Sequence, residues 1–130
     1  MNRVFLDTVG MIAVWDETDQ WHAAAHAAYR ELLAQGRRLV TTSLVLCECG
    51  NAAARRPYRG DVNELRKFLV QEQLLVDPTP QEVEEAWAAY DREDAGIVDH
   101  LSFHVMRRLG LTDAFTNDRH FQAAGFTTMF

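Results

Sequence analysis

The chain has 130 residues, of which 48% are hydrophobic and 25% charged, and its formal net charge is −6 at pH 7. This balance excludes a disordered or fibrous protein, and the length predicts a single domain, residues 1–130, with its own hydrophobic core. No stretch approaches the roughly 18 apolar residues of a membrane helix, and the first residues lack the plan of a signal peptide. We therefore expect a cytoplasmic protein that does not bind a membrane.

The first part of the chain alternates short apolar runs with helical patterns. Residues 3–6 are apolar and partly β-branched, which predicts a buried strand that ends at Asp7. Helices are predicted over residues 8–15 and 19–35, and a second strand over residues 38–41.

The middle of the chain predicts two helices and a third strand. Ser43 is typical of a helix N-cap before residues 44–56, and Asp61 of another before residues 62–72. The apolar run 74–76 predicts the third strand.

The last part begins with a helix that Pro80 opens and that runs to about Asp94. Gly96 separates it from an amphipathic helix over Ile97 to Leu109. The remaining elements are a strand at 113–116, a short helix at 119–124 and a strand at 127–129. Five short apolar strands separated by helices predict an α/β fold, a three-layer α/β/α sandwich around a mainly parallel five-stranded sheet.

Four acids fall where such a fold carries its ligand site, outside the carboxyl ends of the strands. They are Asp7 and Asp118 after strands, Asp99 in the first turn of a helix and Glu48 about one and a half turns into another. Taken singly, each could be a helix cap or a solvated residue. Clustered carboxylates repel one another, so together they would either bind protons or recruit a cation, for which oxygen ligands select Mg²⁺ or Mn²⁺. Such a metal site can hydrolyse phosphodiesters.

Glu48 is the least ordinary of the four. Its neighbours in sequence are mostly apolar, and burying an unpaired carboxylate is costly. We therefore expect a partner that compensates its charge.

Motifs along nearly the whole chain resemble the PIN domains, and within them the VapC-type toxins of prokaryotic toxin-antitoxin pairs. The resemblance lies in four segments that follow the family's order and spacing: VFLDT, TTSLVLCECGNAA, IVDHLSFHVMRRLG and LTDAFTNDRHFQAAGF. It implies the PIN fold, a divalent-metal site and cleavage of RNA that leaves a 5′-phosphate and a 3′-hydroxyl. It also implies a toxin that forms homodimers and is silenced by a small antitoxin protein.

The same resemblance assigns residues. The family's four acidic positions, catalytic and metal-ligating, match Asp7, Glu48, Asp99 and Asp118. Thr8 and Asn117 stand beside two of them and are expected to help hold water at the metal or to contact the substrate.

Basic residues supply candidates for RNA contact despite the negative net charge, which by itself argues against a nucleic-acid partner. Arg119, next to Asp118, is the best single candidate because the guanidinium group of Arg binds phosphate through paired hydrogen bonds. Arg55 and Arg56 open a basic stretch that is either a rim guiding the RNA backbone or an ordinary solvated surface. His120 could act as a proton donor, although a neutral surface imidazole is its ordinary state.

Two other functions remain open at this point. A PIN-like module could bind RNA or a protein without cutting, although all four acids are present. A phosphatase of the haloacid dehalogenase type also has an Asp after its first strand, but its second Asp, two residues later, is replaced here by Val9.

Overall fold

The computed structural model describes residues 2–130 and shows a parallel four-stranded sheet flanked by helices. The elements are β1 Arg3–Leu6, α1 Thr8–Trp15, α2 His22–Ala34, β2 Arg38–Val40, α3 Ser43–Ala53, α4 Arg59–Gln71, α5 Pro80–Tyr90, α6 Ile97–Leu109, β3 Asp113–Phe115, α7 Arg119–Ala123 and β4 Thr127–Thr128. The predicted α/β fold with a parallel sheet is confirmed.

The sheet is built around β1. Its order is β2-β1-β3-β4, and every neighbouring pair is parallel. Val4, Phe5 and Leu6 are fully buried because β1 has a strand on each side and helices against the sheet. The carboxyl ends of β1 and β3 therefore meet at one edge of the sheet, and Asp7 lies there.

The third predicted strand, residues 74–76, does not form, so the sheet has four strands instead of the five predicted. Only Thr41 and Leu75 pair, as an isolated parallel bridge, with hydrogen bonds from Thr41 N to Leu74 O and from Val76 N to Thr41 O. The pairing ends there because the chain beyond Thr41 turns at once into α3. On the other side, Asp77 leaves the sheet to bind the start of that helix.

The predicted N-cap residues of α3 and α4 are also wrong. The side chain of Thr42 caps α3 by accepting a hydrogen bond from Val45 N. Ser43 instead donates from its backbone N and its hydroxyl to the Asp77 carboxylate, at 2.7 and 2.8 Å. Asp61 lies inside the first turn of α4, which begins three residues earlier than expected.

The largest further differences lie at helix ends, and α3 ends at Ala53 instead of residue 56. Helix α2 begins at His22 instead of residue 19, and α5 ends at Tyr90 instead of continuing to Asp94. Within residues 2–130, no helix combines the length and the apolar character that crossing a membrane requires.

Helix α6 is held against α5 by one polar network. Arg108 donates from Nε and Nη2 to the two carboxylate oxygens of Glu82, at 2.9 and 3.0 Å, and from Nη2 to the backbone oxygen of Asp77. Glu82 also closes a capping box with Thr79 at the start of α5. This network fixes the helix that carries Asp99.

Helix α1 lies directly on the end of β3 at Gly10. A Cβ atom built on Gly10 would lie 2.1 Å from the backbone oxygen of Phe115, so only glycine fits. This close approach brings the start of α1, with Asp7 and Thr8, against the end of β3.

Candidate active site

A cavity of about 490 Å³ opens at the carboxyl edge of the sheet. All four predicted acids line it, although they are far apart in the sequence. Its lining residues are Asp7, Thr8, Val9, Glu48, Asn51, Asp99 and Asp118. The site is assembled from the ends of β1 and β3 together with α1, α3 and α6.

Asp7 is the most enclosed of these acids, with 2% of its surface exposed. Its Oδ2 accepts a hydrogen bond of 2.8 Å from the hydroxyl of Thr116. Burial raises the pKa of Asp7 to about 7, and the charges of Asp99 and Asp118 raise it further, against the lowering effect of the Thr116 hydrogen bond. Near neutral pH this carboxyl group is therefore easily protonated unless positive charge is supplied.

Asp99 lies in the first turn of α6, where the nearby backbone of Gly96 acts to lower the pKa of its carboxyl group. Burial raises the pKa of Asp99 to about 6, and the nearby charges of Asp118 and Glu48 add to the rise. Two of the four acids thus carry the electrostatic signature of crowded like charges.

Glu48 does not fit its predicted surroundings. The sequence suggested a carboxylate in an apolar environment, but Glu48 is exposed, because α3 turns this position away from the core and toward the cavity. Its compensating partner is Thr8, whose hydroxyl donates to Oε1 at 2.7 Å. This contact ties α1 to α3 across the cavity.

Asp118 caps α7 and is bound to His120. Its Oδ1 accepts hydrogen bonds from the backbone N of His120 at 2.9 Å and from ring atom Nδ1 at 3.0 Å. One potential ligand atom from each of Asp99, Asp118 and His120 lies within 4.8 Å of the other two.

Thr116 is a site residue that the sequence reasoning missed. It is fully buried, and its hydroxyl donates to Asp7 Oδ2 while accepting a hydrogen bond of 3.1 Å from Asp118 N. One hydroxyl thus sets the spacing of two acids. Asn51 was also missed, although its place one turn after Glu48 on the same helix could have indicated it.

We predict that Thr116→Val costs about 2 kcal/mol of unfolding free energy, because the buried Asp7 carboxylate and Asp118 N–H both lose a partner. Any activity of the four acids should fall as well, because Thr116 holds Asp7 and Asp118 in position. Thr116→Ser keeps the hydroxyl and is the matched control in thermal unfolding and activity measurements. Equal behaviour of the two variants would contradict a positioning role for the hydroxyl.

The predicted substrate-binding residues are less closely grouped. Thr8 lines the cavity, whereas Asn117 and Arg119 are not among the lining residues and are only neighbours of Asp118 in sequence. Arg55 and Arg56 are exposed beyond the end of α3 and do not line the cavity. The charge of Arg56 acts on Asp16, whose pKa is lowered mainly by hydrogen bonds from Thr18.

The chemistry of the lining fits a divalent cation. The four acids offer hard oxygen ligands, and no thiolate is among the lining residues. The raised pKa values of Asp7 and Asp99 come partly from charges that a cation would neutralise. Positive charge at this place would therefore stabilise both the ionised acids and the fold.

Comparisons with known proteins agree with this architecture. The family model of the PIN domain matches residues 4–127. The crystal structure of VapC20 from Mycobacterium tuberculosis, described as a toxin that cleaves the sarcin-ricin loop, superposes with a TM-score of 0.75 at 25% identity, covering 95% of this chain and 96% of that one. PAE2754 from Pyrobaculum aerophilum has the same fold, with a TM-score of 0.60 at 20% identity over 99% of this chain and 91% of that one.

No curated protein sequence gives a significant match. The assignment therefore depends on the family model, which spans nearly the whole chain, and on the shared parallel fold. The chain belongs to the PIN domain family.

Proposed function

We propose that this chain is a divalent-metal-dependent endoribonuclease and the toxin of a toxin-antitoxin pair. The observation that carries the proposal is the convergence of four acids, separated by up to 111 positions in sequence (118 − 7), on one cavity of a PIN fold. VapC20, which shares this fold, is a toxin that cleaves RNA at the sarcin-ricin loop.

The four acids have two different roles in the proposed reaction. Asp7, Asp99 and Asp118 hold Mg²⁺ or Mn²⁺, with Asp7 fixed by Thr116 and Asp118 by the start of α7. Glu48 is exposed to water and held by Thr8, so it orients the attacking water molecule or serves as a further ligand. The cation supplies charge that neutralises the phosphate and strengthens water as a nucleophile.

RNA would reach this site along its open side. Arg119, which is exposed and next to Asp118 in sequence, would contact a phosphate beside the scissile bond, together with Asn117 and with Thr8 of the cavity lining. Arg55 and Arg56, beyond the end of α3, would contact the RNA backbone at a distance from the cavity. The remaining parts of the proposal are a single domain, a homodimer, a small antitoxin partner and a cytoplasmic location.

The deciding experiment is cleavage of a mixed RNA pool by the purified chain with Mg²⁺, Mn²⁺ or EDTA. We expect metal-dependent cleavage that leaves 5′-phosphates, and a loss of at least about 100-fold in Asp99→Asn because a charged ligand of the cation is removed. The matched control is Asp91→Asn, which removes an exposed acid at the end of α5, outside the cavity.

Other results would change the proposal in defined ways. RNA binding without cleavage in any metal would favour a PIN-like binding module. Cleavage that Asp99→Asn retains in full would place the reaction elsewhere on the molecule.

A further inference from the structure

The sequence indicated an all-oxygen ligand set, but the structure adds a nitrogen. Among residues 2–130, the one group of three potential ligand atoms within 4.8 Å of one another comprises Asp99, Asp118 and His120. His120 brings an imidazole into a site that carboxylates otherwise make.

Asp118, the neighbour of His120 in the site, also orients the His120 ring. Asp118 Oδ1 accepts from both the backbone N and Nδ1 of His120, so the short helix α7 and one carboxylate fix the ring. A cation could take the place of this proton. With the ring proton on Nε2, the lone pair of Nδ1 would face a cation shared with Asp118, whose Oδ1 lies 3.0 Å away.

The surroundings leave the ring room to serve as a ligand. The side chain of His120 is 46% exposed, and it borders a second cavity of about 710 Å³ between α5, α6 and α7. Its ring is thus not packed into the core, and its ligand atom lies within 4.8 Å of those of Asp99 and Asp118 in the acidic cavity.

We propose that His120 is a nitrogen ligand of the cation held by Asp99 and Asp118, and that it makes the site prefer Mn²⁺ to Mg²⁺. Imidazole is a good ligand for transition metals, whereas Mg²⁺ selects oxygen ligands. This inference depends on the proposed function, since it concerns the same cation site, but it specifies which residue sets the choice of metal.

The test is binding of Mn²⁺ alone and of Mg²⁺ alone, measured by titration calorimetry without RNA. His120→Ala should weaken Mn²⁺ binding by about 10-fold or more, and Mg²⁺ binding by clearly less. His120→Asp, which replaces nitrogen with oxygen, should reverse the preference toward Mg²⁺. His104→Ala is the matched control, because His104 also lines the second cavity but does not belong to the group formed by Asp99, Asp118 and His120.

Unchanged Mn²⁺ affinity in His120→Ala, with slower RNA cleavage, would overturn the ligand role in favour of a proton donor. An equal loss for both cations would overturn the claim of metal selection. If the wild type binds neither cation, the metal-dependent nuclease fails as well, whereas normal binding by both His120 variants removes only this inference. Thermal unfolding of each variant separates these outcomes from misfolding.

Discussion

Asparagine in place of Asp7 is expected to stabilise the protein at pH 8 in EDTA by an amount on the order of 4 kcal/mol while abolishing metal-dependent cleavage. The pKa of Asp7 is raised from 3.8 to about 7, chiefly by burial, so its ionised form is costly in the folded state. Asparagine has nearly the same shape, carries no charge, and can still accept the hydrogen bond from Thr116.

The pH dependence of this effect has a definite sign. Below about pH 4, Asp7 is protonated in the folded and unfolded states, and its charge contributes no penalty. Between pH 4 and 7 the unfolded chain releases the proton while the folded protein keeps it, so wild-type stability falls as the pH rises. The advantage of Asp7→Asn should therefore grow across this window and level off above pH 7.

Urea unfolding in EDTA at several pH values measures this difference. Asp91→Asn, at an exposed position, is the control and should track the wild type. Saturating Mn²⁺ should shrink the advantage of Asp7→Asn, because the cation neutralises the charge that burial penalises. A constant difference at all pH values would show that Asp7 ionises normally.

The second large effect is expected for Gly10→Ala, which should lower the unfolding free energy by about 3 kcal/mol. The new methyl group would lie 2.1 Å from the Phe115 backbone oxygen and 2.7 Å from its ring. Since both belong to the central part of the sheet, α1 must move away, and Asp7 and Thr8 move with it. Cleavage should therefore fall even where the variant remains folded.

Gly50→Ala is the matched control for this prediction. Gly50 also lies inside a helix, but a Cβ atom there meets nothing within 4 Å. Alanine at that position should stabilise α3 by roughly 0.5 to 1 kcal/mol through its helix propensity. Thermal unfolding of the two variants compares a crowded glycine with a free one, and equal stability would contradict the close contact of α1 with β3.

Much of the fold could be predicted because local signals and tertiary structure agree. The bounds of α6 are the predicted ones, since Gly96 precedes it and Gly110 ends it in a left-handed conformation. The failures occurred where a distant partner decided the outcome. Asp77 binds Ser43, which displaces the cap of α3 to Thr42 and ends the pairing expected at residues 74–76.

Among the site residues, too, local signals predicted some and distant partners determined the others. The four acids could be selected from the motifs and from the rule that parallel sheets bind ligands at their carboxyl edge. Thr116 could not, because a threonine at a strand end is ordinary until its partner, 109 residues away, is known. The exposure of Glu48 was misjudged because apolar neighbours in sequence need not surround a residue on a helix, where successive side chains point in different directions.

The pairing of β1 with β3 also determines when, during synthesis of the chain, the acidic cavity can form. The first strand pairs early with β2, but its second partner comes more than a hundred residues later, as the register of Phe5 with Ala114 shows. A growing chain therefore has no complete acidic cavity until its final quarter has been synthesised and docked. If the proposed ribonuclease activity is correct, this long-range pairing keeps each copy harmless to the RNA of its own ribosome while it is being made.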